Sequence, residues 1–128
     1  MSSSNPPIDR RAPVQRALVI HPARTRERGG LRAPESRLEE AEGLARALDL
    51  EIVRAEIAPI RQVTPATLLG GGKVAEFGQA IEADEINVVV VDDQLTPVQQ
   101  RNLEKAWQAK VIDRTGLILE IFARRART

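Results

Sequence analysis

Four consecutive valines, Val88 to Val91, stop at Asp92-Asp93, and Thr96-Pro97-Val98-Gln99 follows within a few residues. A β-branched run without polar alternation is the signature of a strand covered on both faces. Thr96 with Gln99 forms a capping box, and Pro97 stands at the first helical position, where its missing N–H costs nothing. A doubly covered strand feeding directly into a helix constrains the chain to crossover topology, because parallel strands need a helix-length connection.

The rest of the chain repeats the theme. Arg16 to His21 encloses Ala-Leu-Val-Ile, a short buried strand. Ser36 with Glu39 reads as a second capping box, followed by Leu38, Ala41, Ala45 and Leu48 at helical spacing. Leu50 to Ile57 interleaves apolar and charged residues as a partly exposed strand, and Pro59 and Pro65 bracket a connecting loop. Thr67-Leu68-Leu69 reads as a short strand running into Gly70-Gly71-Gly72-Lys73, and the helix beyond turns Val74, Phe77 and Ile81 to one side. Leu103, Ala106 and Trp107 make the inner face of the helix after Thr96. Lys110 to Ile112 is the last strand, and a final helix from Thr115 buries Leu117, Ile118, Ile121 and Phe122. The expected fold is α/β: a mostly parallel sheet of four to five strands with helices on both faces. The domain spans residues 16–128. Residues 1–15, polar and proline-rich, read as a flexible tail, and residues 22–35 as a long polar loop.

Composition removes several function classes. With no cysteine there is no disulfide framework, thiolate zinc site or Cys nucleophile. His21 is the single histidine, so neither a histidine metal cluster nor a triad can be built, and a structural role is expected for it. The aromatics are Phe77, Trp107 and Phe122, too few for a base-stacking platform. The N-terminus lacks the apolar stretch of a secretory signal, and the valine run is far short of the ~20 residues that span a bilayer. A monomer in the cytoplasm, with no membrane contact, is the expectation. The net charge of +1 hides a segregation: residues 1–34 hold seven Arg against two acids, residues 35–93 five basic against thirteen acidic side chains, and residues 94–128 seven basic against three acidic. Such a chain can offer a basic edge to nucleic acid or to an acidic neighbour, or carry an ordinary solvated surface.

Gly70, Gly71, Gly72 and Lys73 stand where a helix begins, and free N–H groups with a lysine there suit a phosphate. A structural tight turn fits the same residues. The nucleotide-hydrolysing loop needs G-x-x-x-x-G-K-[ST], and Thr67 and Val74 break it at both ends. Asp92, Asp93 and Asp113 end two strands; at one sheet edge they would make a three-carboxylate Mg²⁺ pocket, or else cap loops. No catalytic residue is assigned.

Three blocks carry a resemblance. LGGGKVAEF (69–77) is similar to the Gly-Lys loop of the HflX family of ribosome-associated GTPases. DDQLTPVQQRNL (92–103) resembles that family's Asp/Glu-Leu-Ser/Thr-Pro-x-Gln-x-Arg-Asn-Leu segment, and VIDRTGLILEIFARRART (111–128) its Asp-Arg-Thr-x-Leu-Ile-Leu-x-Ile-Phe-Ala-x-Arg-Ala block. Phe77, where Leu is commoner, and the third glycine depart mildly from the pattern. The resemblance implies an N-terminal module that a helical hairpin and a GTP- and Mg²⁺-binding G domain follow in the full-length GTP hydrolase. It implies a piece of such a protein rather than a stand-alone paralogue, with no cofactor of its own. The implied partners are the large ribosomal subunit, its RNA, and the protein's own helical and G domains. Lys73, Arg101, Arg114, Arg124, Arg125 and Arg127 match the family's basic positions and are the expected RNA contacts. Two other classes stay open: a small anion- or nucleotide-binding domain using Gly70–Lys73, and an interaction module that restrains its own G domain.

Overall fold

The computed structural model describes residues 13–24 and 33–126. The elements run β1 (Arg16–Arg24), α1 (Pro34–Arg46), β2 (Glu51–Ile60), α2 (Gly71–Ala83), β3 (Val88–Val91), α3 (Pro97–Trp107), β4 (Lys110–Asp113) and α4 (Arg114–Ala126). All strand pairs are parallel, in the order β2-β1-β3-β4. The expected α/β architecture is therefore present, with four strands among the described residues.

Pleating divides the core into two layers. Leu18, Ile20, Val89, Val91 and Val111 point toward α2 and α3, where Phe77, Ile81, Leu103 and Trp107 meet them. Val19, Val88, Val90 and Ile112 point the other way, onto Ala41 and Ala45 of α1 and Leu117 of α4. The uninterrupted valines of β3 thus serve both layers alternately. In β2 a register shift opposite Ala17 and Leu18 inserts Val53. That bulge explains the adjacent apolar pair: Ile52 packs on the α1 side and Val53 on the α2–α3 side.

Several boundaries differ from the sequence expectation. β1 continues through Pro22 to Arg24, because β3 stops pairing at Ile20↔Val91 and leaves that flank of β1 an edge. β2 runs through Pro59 to Ile60, again tolerated because β2 is the sheet's edge strand. Ser36 is not a cap: α1 starts at Pro34, preceded by Ala33 with no side-chain cap bond, and Ser36 lies inside the first turn. Thr67-Leu68-Leu69 is not a strand but a turn. Leu68 takes φ 69° there and its amide bonds back to the Thr64 carbonyl at 2.7 Å. In α3 the inner line is Gln99, Leu103 and Trp107, with Ala106 exposed. In α4 only Leu117 is fully buried; Ile118 and Phe122 face outward, against expectation, because the sheet ends at β4 and offers them nothing to cover. Residues 1–12, most of the expected tail, and residues 25–32 of the expected polar loop lie outside the described residues.

Candidate functional site at the carboxyl edge of the sheet

The chain moves from β1 outward to β2 and then returns past β1 to β3, so the strand order reverses between β1 and β3. Open α/β sheets place their ligands at the carboxyl ends of the strands flanking such a reversal. Here that position is filled by a hydrogen-bonded ionic cluster. Asp92, at the end of β3, is buried and accepts from His21 Nδ1 at 2.9 Å and from Arg114 Nε at 3.0 Å. A second guanidinium nitrogen of Arg114 donates to the Asp92 carbonyl at 2.7 Å. Burial pushes the Asp92 carboxyl up, but the hydrogen bonds from His21 and Arg114 and their charge outweigh it, and its pKa lies below the ordinary value. An ionised Asp92 only accepts, so His21 Nδ1 carries the proton between them.

The other two carboxylates are also engaged. Asp93 accepts from Arg24 at 2.6 Å and from the Gln94 amide at 2.7 Å. Asp113 accepts from the Leu95 amide at 3.1 Å and from the Gly116 amide at 2.9 Å, capping the first turn of α4. A Cβ on Gly116 would stand 3.3 Å from that same carboxylate oxygen and from the Ile112 side chain, which accounts for glycine there. The Mg²⁺ arrangement considered for Asp92, Asp93 and Asp113 is not assembled, since these oxygens answer protein donors. Among the described residues no group of three His, Cys, Asp or Glu converges as a metal site. Asp92, Asp93 and Asp113, held by these donors, do not fit a Mg²⁺ site.

Gly70, Gly71, Gly72 and Lys73 form the start of α2 at this same edge. Gly70 is the N-cap residue, with φ −64° and no side-chain cap bond. None of the three glycines has positive φ, and a Cβ on any of them would meet nothing within 4 Å. The fold itself therefore does not require glycine at these positions, although each glycine inside a helix costs roughly 1 kcal/mol against alanine. Lys73 lies 3.4 Å from Glu76 and over the Phe77 ring at 5.7 Å.

Gln99, beyond its part in the capping box, and Asn102 turn out to hold the turn that leads into α2. Gln99 donates from Nε2 to the Pro65 carbonyl at 3.2 Å, and Asn102 donates to the Ala66 carbonyl at 3.0 Å. The sequence signal is the Gln-x-x-Asn spacing, one helical turn on one side of α3, but its target lies more than thirty residues away. The capping box itself is as expected, with the Gln99 amide donating to Thr96 Oγ1 and the Thr96 amide donating to Gln99 Oε1.

The six expected RNA-contact residues do not form one surface. Lys73, Arg101 in the first half of α3, and Arg114 lie toward the carboxyl edge, and Arg114 is bound to Asp92. Arg124 and Arg125 lie at the far end of α4, by the amino edge. Arg124 pairs with Asp49 at 3.1 Å and reaches the Ala47 carbonyl at 3.5 Å, at the C-terminal end of α1. Arg127 lies outside the described residues.

Fold and edge together define an open, doubly wound α/β module with ion pairs among the described residues at its strand reversal. The chain belongs to the GTP-binding GTPase N-terminal family, whose model matches residues 35–123. It is 53% identical over 91 residues to the GTPase HflX of Magnetococcus marinus, a stretch covering 71% of this chain and 21% of that protein. With the GTPase HflX of Escherichia coli K12 the identity is 42% over 91 residues, again 71% and 21% of the two chains. The resemblance read from the three sequence blocks is thus borne out, and the chain spans about a fifth of the length of the curated relatives it matches. In fold it is similar to a GTP-binding protein of the archaeon Sulfolobus solfataricus solved with GDP, at TM-score 0.64 and 19% identity over 86% of this chain and 30% of that one.

Proposed function

We propose that this domain is the RNA-engaging and regulatory N-terminal part of an HflX-type GTPase acting on the large ribosomal subunit in the cytoplasm. The observation that carries the reading is the 53% identity to a GTPase HflX over 91 residues. GTP and Mg²⁺ belong, on this reading, to the G domain that completes such a protein.

The chemistry of the carboxyl edge supports phosphate as the group engaged. Three glycines that the fold does not need leave the amides at the start of α2 open to close approach. Lys73 sits beside them, and Arg101 is exposed on the neighbouring helix. Aromatic residues for stacking are absent from this edge, since Phe77 and Trp107 are buried. Contacts of this kind position a protein on RNA and carry little sequence information. Arg114 is engaged by Asp92 and acts through the fold. The test is co-sedimentation of the chain with purified large ribosomal subunits across a salt series. Binding at low salt that weakens steeply as salt rises supports the reading; absence of binding at low salt overturns it.

A further inference from the structure

The two edges of the sheet are finished differently. At the β4 edge Val111 turns both backbone groups to α3: its amide donates to Glu104 Oε2 at 3.0 Å, and its carbonyl accepts from Gln100 Nε2 at 3.0 Å. Two side chains one helical turn apart thus stand in for a further strand. The opposite edge is β2, ten residues long where β4 has four. The backbone of Ile52 to Ala58 has β1 as its one strand partner among the described residues. Ile52, Val53, Ala55 and Ile57 are only half-buried there. A long unpaired edge is a template for another strand, which would supply backbone hydrogen bonds and cover those side chains.

The charges on β2 identify the strand that fits. Arg54 and Glu56 flank Ala55 and lie in register with Leu18 and Ile20 of β1, so both face the α2 side. They bond to each other at 2.9 Å, and Arg54 also donates to Asp84, just past α2, at 3.2 Å. Both side chains stay accessible, 42% and 29% exposed. Let two copies of β2 run antiparallel about a twofold axis at Ala55. Arg54 of each copy then lies directly opposite Glu56 of the other, on one face of the sheet, and Ala55 meets Ala55. A slip of two residues either way sets Arg54 against Arg54 or Glu56 against Glu56. The pattern therefore attracts in one register and repels in its neighbours. Pro59, which has no N–H to offer a partner strand, falls opposite Glu51, outside the central pairs.

We infer that β2 is a dimerisation edge, on which a second copy of this chain pairs antiparallel about Ala55 to join the two sheets into one. The inference departs from the monomer expected from the sequence and does not rest on ribosome binding, so the two readings fail separately. Sedimentation equilibrium of the wild-type chain over a concentration series is the first test. The mass should rise from 14.1 kDa toward twice that value; a single-chain mass that persists to millimolar concentration overturns the inference. The register is read by cross-linking, since the chain has no cysteine of its own. Opposed residues of antiparallel strands have Cα atoms about 4.5–5.5 Å apart, within disulfide reach. Ala55→Cys should therefore form a covalent dimer in oxidised glutathione, while Lys105→Cys, exposed on α3, stays monomeric. In the Ala55→Cys background, Arg54→Glu and Glu56→Arg should each lose most of the cross-link when alone. Mixed together they should regain it, because the mixed pair again sets opposite charges across the axis. Thermal melts check that each variant is folded. Cross-linking that neither charge change reduces, or that Lys105→Cys matches, overturns the inference.

Discussion

Asp92 illustrates how single residues join distant parts of this chain. Its partner His21 lies 71 positions away and Arg114 22 positions away, and the three meet because β3 lies between β1 and β4. Sequence places His21 at a strand end and assigns it a structural role, yet nothing in the spacing names Asp92 as its acceptor. Folding lowers the Asp92 pKa, so its contribution to stability is complete above the unfolded value of about 4 and is lost as pH falls through the folded value. Unfolding titrations of the wild type should therefore show stability dropping below about pH 4, and Asp92→Asn should be less stable at neutral pH with a smaller acid-dependent loss. An unchanged acid limb in Asp92→Asn would contradict the assignment. Trp107 is legible in the sequence as a buried residue, and the structure buries it: its indole N–H donates to the Val74 carbonyl at 2.9 Å. Trp107→Ala should cost about 3–5 kcal/mol in denaturant unfolding; a loss below about 1 kcal/mol would contradict close packing of α2 on α3.

Helix starts show where local sequence signals suffice and where they compete. At α3 the Thr96–Gln99 box and Pro97 agree, and the helix begins where they place it. At α1 the Ser36–Glu39 signature competes with Pro34 two residues earlier, and proline wins by presetting the helical φ at the first position. Thr96→Ala should therefore destabilise the domain by about 1 kcal/mol, whereas Ser36→Ala should change it by less than about 0.5 kcal/mol. Thermal melts of the two variants distinguish these roles; equal losses would restore Ser36 as a cap. Strand ends are harder to read than strand centres. Pro22 and Pro59 look like breakers until the strand order shows that each occupies an unpaired flank. The outward face of α4 escapes a sequence reading for a related reason: helical periodicity gives an apolar stripe without saying how much sheet lies beneath it.

Across the whole molecule, the strand–helix alternation and the two-layered core are legible because periodicity and continuous valines report burial directly. The distribution of charge is not. Residues 94–128 are basic in sequence, but α4 carries that charge from one edge of the sheet to the other. Arg114 and Arg124 are held by Asp92 and Asp49 at opposite ends. On the proposed reading, phosphate contact falls to the edge bearing Gly70–Gly72, Lys73 and Arg101, while Arg124 pairs with Asp49 and ties α4 to the end of α1. The most direct test is co-sedimentation with large ribosomal subunits across a salt series, comparing wild type with two double variants. Lys73→Gln with Arg101→Gln should flatten the slope of log K against log salt by roughly 0.7–0.9 for each phosphate no longer neutralised. Arg124→Gln with Arg125→Gln should leave that slope unchanged while lowering the melting temperature. A slope that survives removal of Lys73 and Arg101 but collapses on removal of Arg124 and Arg125 would contradict phosphate binding at the carboxyl edge.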